Sequence, residues 1–172
     1  MQTLILGGVR SGKSRLAEQM AQRSACPVTY IATADAGDGE MATRIAHHRA
    51  ARPANWLTVE APVSLAATLK HHASPGRLLL VDCLTLWLTN LLLAADPDSL
   101  QRERAALLDV LPKLPGELIL VSNETGMGIV PLGELTRRYC DEAGWLHQDI
   151  AAQVERVILT IAGLPHYLKG TP

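Results

Sequence analysis

Apolar positions along the chain fall into two periods. Short runs of aliphatic and β-branched residues recur at Thr3–Leu6, Val28–Ala32, Trp56–Val59, Leu78–Val81, Leu118–Val121 and Val157–Ile161. Runs of this length and composition predict buried strands. Between them apolar residues return every three or four positions, as on one face of a helix. Lys13–Arg23 carries Leu16 and Met20 one turn apart, and Ser99–Leu111 carries Leu100, Leu107, Leu108 and Leu111. A longer stripe starts after Pro131 and runs through Leu132, Leu135, Tyr139, Ala143, Leu146 and Ile150, with Gly144 inside it. The run from Leu84 to Ala95 is broken by Thr85, Thr89 and Asn90 and is too short to cross a bilayer, so it predicts a core helix.

Strands alternating with helices imply an α/β fold, in which a mostly parallel sheet is covered on both faces through right-handed crossovers. Near the end, Val157–Ile161, Gly163-Leu164-Pro165 and His166–Lys169 predict a strand, a turn and a short antiparallel edge strand.

Composition narrows this picture. A length of 172 residues predicts one domain spanning 1–172, large enough for a core without disulfide or metal staples. With 48% hydrophobic and 19% charged residues, the chain reads as globular and not disordered. Sixteen basic and seventeen acidic side chains leave a formal net charge of -1, so no global field favours nucleic acid or an anionic membrane, and small-molecule partners are expected. Cys26, Cys83 and Cys140 form no CxxC pair and predict buried, reduced thiols. The chain enters a strand by Thr3, without room for a secretory signal, so a cytoplasmic protein is expected.

The chemistry starts at Gly7-Gly8-Val9-Arg10-Ser11-Gly12-Lys13-Ser14. Its GxxxxGK[ST] spacing, between a strand and a helix, is that of a phosphate-binding Walker A loop. Glycines let successive backbone N–H groups turn around phosphate oxygens, the helix points its positive end at them, and the lysine adds a charge. Ser14 would offer a hydroxyl to Mg²⁺, and Asp82, after the apolar run Leu78–Val81, a carboxylate. Asp82 could equally cap the helix that follows.

Ligands of parallel sheets gather beyond the carboxyl ends of the strands. That places Thr33-Ala34-Asp35, Glu60, Asp82 and Asn123-Glu124 under inspection. The loop from Val121 to Pro131 is richer in polar groups and glycines than a connection requires. Glu60 could accept hydrogen from guanine N1–H and its amine, or could simply be an exposed surface carboxylate. In the helical pattern from Glu40 to Arg49, phasing sets His48 beside Met41 and Ile45, as a packing residue, and His47 beside Glu40, Thr43 and Arg44. A neutral imidazole near a cation suits attack on phosphorus, although spacing alone also allows a surface histidine. A Walker A loop by itself leaves a kinase, an ATPase motor, a GTP switch and a nucleotidyltransferase open.

GGVRSGKS, YIATAD, EMATRIAHHRAARPANW, VDCLTLWLTNLL and SNETGMGIVP together resemble the bifunctional adenosylcobinamide kinase / adenosylcobinamide-phosphate guanylyltransferase family, collinearly from Thr3 to the last strands. The double histidine followed by RPxxW and the NExGMGIVP loop are the restrictive parts. The resemblance implies a P-loop NTPase of RecA-like fold and a cytoplasmic enzyme of cobalamin nucleotide-loop synthesis. It would phosphorylate adenosylcobinamide with ATP or GTP in the presence of Mg²⁺, then transfer GMP from GTP to the phosphate, releasing pyrophosphate. The position of His47 is that of the guanylylated histidine. Nucleotide contacts are implied for the Gly7–Ser14 loop, for Thr33, Ala34 and Asp35, for His48, Arg49, Ala50 and Ala51, and for Glu60 and Asp82. Some relatives have Glu at the position of Asp82, which puts the reach of that carboxylate in question by about one carbon–carbon bond but not its chemistry. A homotrimer is expected on the same ground. A kinase-only enzyme and a non-catalytic GTP switch stand as the rival readings.

Overall fold

A computed structural model describes residues 1–34 and 53–172. Twelve strands and α-helices succeed one another there: β1 (Gln2–Gly7), α1 (Lys13–Arg23), β2 (Val28–Ala32), β3 (Leu57–Glu60), α2 (Leu65–His72), β4 (Leu78–Asp82), α3 (Leu84–Leu92), α4 (Ser99–Val110), β5 (Glu117–Asn123), α5 (Glu134–Gln153), β6 (Arg156–Ile161) and β7 (Leu164–Lys169), with a short 3-10 turn at Leu111–Lys113 after α4. The helix predicted from Glu40 to Arg49 lies outside the described residues.

The strands form one sheet in the order β3-β2-β4-β5-β1-β6-β7. All pairings among β1 to β6 are parallel, and only β7 runs antiparallel, against β6. This is the mostly parallel α/β arrangement with an antiparallel C-terminal edge that the alternating pattern predicts.

Side chains of a strand alternate between faces, and the core divides accordingly. Leu4 and Leu6 of β1, Leu79 and Val81 of β4, and Leu118 and Leu120 of β5 share one cluster with Leu65 and Leu69 of α2, Trp87 of α3, Leu107 of α4 and Leu146 of α5. Ile5, Leu78, Leu80, Ile119 and Val121 point the other way, onto Ala17 and Ala21 of α1. Small residues on α1 let it lie close over the strand that feeds it.

Several expectations change. The predicted turn at Gly163-Leu164-Pro165 sits earlier: Ala162 and Gly163 make the turn, both at positive φ, and Leu164 and Pro165 already belong to β7. An edge strand has one unpaired side, so a proline that cannot donate to a ladder is tolerated there. The long helix begins at Glu134, after an extended Gly133. Leu132 precedes the helix and Leu135 lies in its first turn; both are exposed (97% and 52%) while Ala143, Leu146 and Ile150 are buried. The helix from Leu84 stops at Leu92. Helix α2 has no counterpart in the sequence reading, because its buried stripe of Leu65, Ala66 and Leu69 covers too few turns to display a period. The cysteines are free thiols but only half-buried. No described helix is long and apolar enough to cross a membrane.

Candidate active site

β1 ends at the buried centre of the sheet and must turn sharply to enter α1. At Gly7 a Cβ would lie 2.5 Å from both Ser11 Oγ and the Thr160 carbonyl oxygen, so the chain passes a gap only glycine fits. Gly12, the N-cap of α1, holds φ at 98°, and a Cβ there would come within 3.1 Å of Gly163 Cα. The loop is tied at several points: Ser11 N–H donates to the Gly8 carbonyl (3.2 Å), Gly163 N–H to the Ser11 carbonyl (2.8 Å), and Glu124 N–H to the Gly7 carbonyl (2.9 Å). Residues distant in sequence thus hold the loop on two sides.

Lys13 is buried, and its Nζ donates to the Gly8 carbonyl at 2.7 Å. Burial pushes its ammonium below the ordinary value of 10.5, and the negative charge of Asp82 is the largest opposing influence. A cation short of hydration at the base of a ring of backbone N–H groups suits an incoming phosphate.

The loop opens on a cavity of about 790 Å³ lined by Val9–Arg15, by Asn123 at the end of β5, and by Ala162 and Gly163. This volume suits a small organic ligand. Val9 and Arg10 are exposed at its mouth, whereas Ser11 is buried. Asp82 ends β4, half-buried. The helix cap that could have occupied it falls instead at Cys83, which makes no side-chain capping bond.

Ser14 and Asp82 offer a hydroxyl and a carboxylate, hard oxygen donors suited to Mg²⁺. Among the described residues no group of three or more His, Cys, Asp or Glu side chains could form a metal cage. Asp82 closes β4 at the same carboxyl-end rim of the sheet from which β1 enters the loop.

The other expected residues divide. Thr33 is completely buried and ties two strand ends together: its hydroxyl donates to the Cys83 carbonyl (2.6 Å) and accepts from Cys83 N–H (3.0 Å). Asn90 Nδ2 in turn donates to the Thr33 carbonyl (2.8 Å) and the Pro62 carbonyl (2.9 Å). Ala34 is half-buried, and Glu60 is exposed at the end of the edge strand β3. Asp35, His47, His48, Arg49, Ala50 and Ala51 lie outside the described residues. The lining residues Arg15, Ala162 and Gly163 escape sequence reasoning, since only the sheet register sets the β6–β7 turn beside the loop.

Comparison with known proteins follows this geometry. A family model described as cobinamide kinase / cobinamide phosphate guanyltransferase matches residues 3–168. The chain is 68% identical over 172 residues to the bifunctional adenosylcobalamin biosynthesis protein CobP of Pseudomonas aeruginosa, covering 100% of this chain and 99% of that one. It is 39% identical over 182 residues to the bifunctional adenosylcobalamin biosynthesis protein CobU of Escherichia coli, covering 98% and 100%. Among solved structures it resembles the type III secretion ATPase EscN of enteropathogenic E. coli, with a TM-score of 0.58 at 14% identity over 92% of this chain and 41% of that one. It also resembles PH0250 of Pyrococcus horikoshii, with a TM-score of 0.55 at 10% identity over 99% and 87%. These structural likenesses concern the fold, which is that of P-loop NTPases.

Proposed function

The chain belongs to the cobinamide kinase / cobinamide phosphate guanyltransferase family, and from that premise we propose how its residues divide the two reactions of a bifunctional enzyme of adenosylcobalamin biosynthesis. The observation that carries the proposal is the cavity over the Gly7–Ser14 loop, with Lys13 buried at its base.

In the kinase step the loop N–H groups and Lys13 hold the nucleoside triphosphate, GTP or ATP, while the hydroxyl of adenosylcobinamide attacks the γ-phosphorus. Positioning and charge stabilisation supply most of the acceleration. Ser14 and Asp82 would hold Mg²⁺, which would supply neutralisation of charge on the phosphates. In the transfer step a nitrogen of His47 bonds to the α-phosphorus of GTP as the bond to pyrophosphate breaks. A phosphate oxygen of the cobinamide phosphate then displaces the histidine, giving adenosylcobinamide-GDP. Two in-line displacements avoid a single encounter of two anions. Thr33, Ala34, Asp35, His48, Arg49, Ala50, Ala51 and Glu60 frame the nucleotide, Thr33 by bracing the strand ends rather than by its enclosed hydroxyl.

Residues 1–172 act as one nucleotide-binding catalytic domain of a cytoplasmic enzyme, and copies associate as a homo-oligomer, a trimer by family resemblance. Exposed Met127, Ile129, Val130, Leu132 and Leu135 support association, since a contiguous apolar surface favours being covered.

The test is GTP labelled at the α-phosphate. The expected product is an acid-labile, base-stable protein adduct that is lost in His47→Ala, while Lys13→Ala lowers both reactions at least a hundredfold. A γ-label passed to adenosylcobinamide without any α-labelled adduct would leave a kinase alone, and neither signal would leave a nucleotide switch.

A further inference from the structure

The two reactions differ in one chemical demand. A phosphate nucleophile is already anionic at neutral pH, whereas the alcohol of adenosylcobinamide must give up a proton as it bonds to phosphorus. The kinase step therefore needs a proton acceptor on the nucleotide's side of the sheet.

β5 lies between β1, which feeds the phosphate-binding loop, and β4, which ends in Asp82. The first residue beyond β5 is Glu124. Its N–H is bonded to the Gly7 carbonyl (2.9 Å), and its neighbour Asn123 lines the 790 Å³ cavity. One carboxylate oxygen is held: Oε1 accepts from Gly126 N–H at 2.6 Å, while Oε2 faces Nδ1 of His147 across 3.8 Å, beyond hydrogen-bond distance. His147, on α5, is buried, with Nε2 2.8 Å from the buried Ser122 hydroxyl. Nε2 is thus bonded to Ser122, and Nδ1 is the ring nitrogen turned toward the carboxylate. The Glu124 side chain keeps 21% of its surface open.

Neighbouring groups are poorer acceptors. Burial pushes the Tyr139 phenol up to about 12, so it keeps its proton. Burial pushes His147 below its ordinary value of 6.5, against the pull of Glu124, and its nitrogens are enclosed.

We propose that Glu124 is the proton acceptor for the substrate hydroxyl in the kinase step and that the buried His147–Ser122 pair positions its carboxylate. This assignment rests on the kinase reading above. As the substrate oxygen bonds to the γ-phosphorus, the bond from that phosphorus to the β–γ bridging oxygen breaks, and its electron pair leaves with the nucleoside diphosphate. The hydroxyl proton passes to Glu124 and then to water.

The experiment measures both half-reactions on full-length protein, with adenosylcobinamide for phosphorylation and separately supplied adenosylcobinamide phosphate for GMP transfer. Glu124→Gln is expected to lower kinase kcat by about 10² to 10⁴-fold, with GMP transfer and the KM for GTP within threefold of wild type. Glu124→Asp withdraws the carboxylate by about one carbon–carbon bond and is expected to lose at least tenfold in kinase kcat alone, a test that holds even if the glutamine variant fails to fold. His147→Gln leaves the acid present but unbraced, so kinase kcat is expected to fall about tenfold at unchanged KM. Kinase turnover within threefold of wild type in either Glu124 variant overturns the assignment. So does an equal loss of both half-reactions, which would mark a structural or shared-metal role. Unchanged kcat in His147→Gln overturns the positioning role. A wild-type protein that phosphorylates no adenosylcobinamide overturns the parent reading, and this one with it.

Discussion

Thr33 shows how one side chain can matter to a site without facing it. Its hydroxyl is enclosed between the N–H and carbonyl of Cys83, one residue after Asp82. Valine in its place would fill the space but leave those two backbone groups without their partner, at a cost of about 1–3 kcal/mol. Thr33→Val is expected to lower the denaturant midpoint accordingly with an unchanged m-value, while a wild-type midpoint would mean that the strand ends do not depend on the latch. Legibility at this scale followed contiguity. The eight residues Gly7–Ser14 declare themselves because loop, lysine and serine adjoin in sequence. The role of Thr33 does not, because its partner is 50 positions away, and nothing local separates a threonine facing a ligand from one sealed behind it. Glu124 is legible as a residue just past a strand, but its neighbours Ser122 and His147 are hidden for the same reason, one lying in a strand and the other on a helix.

The β6–β7 hairpin shows how an element buttresses a loop from another part of the chain. Gly163 N–H holds the Ser11 carbonyl, and the turn is made by Ala162 and Gly163 at φ 52° and 79°. An alanine in the left-handed region is strained, whereas asparagine tolerates it and asparagine-glycine is a favoured two-residue hairpin turn. Ala162→Asn is therefore expected to stabilise the protein by about 0.5–1 kcal/mol, read as a higher unfolding midpoint. A drop would show that the nucleotide-side surface of the turn, not its backbone, sets its tolerance. At this scale strands read well, since buried parallel strands are continuous apolar runs. Element ends read less well: Pro165 looks like a turn residue until its strand proves to lie at the edge, and Leu132 looks like the start of a helix until Gly133 proves extended.

At the scale of the whole molecule, the exposed apolar side chains between Met127 and Leu135 are the unfinished surface. If copies associate through them, replacing Ile129 and Leu132 together with aspartate is expected to reduce the mass measured by light scattering to that of one chain, with circular dichroism unchanged. An oligomer that survives both charges would have to use another face. Charge and composition could say only that nucleic acid was an improbable partner. They do not reveal an interface, because residues in phase with a helical stripe look like core whether or not the helix extends to them.

The sheet also sorts the molecule into two ends. The Gly7 loop, Asp82 and Glu124 all leave the carboxyl ends of three adjacent strands, each neighbour roughly 5 Å from the next. The Ser74-Pro75-Gly76 turn enters β4 at the opposite rim; Gly76, at φ 74°, is best left glycine, but Pro75 beside it is exposed. A fluorophore or surface tether attached there would sit a full strand length from the nucleotide, free to report on or immobilise a working enzyme without crowding either of its substrates.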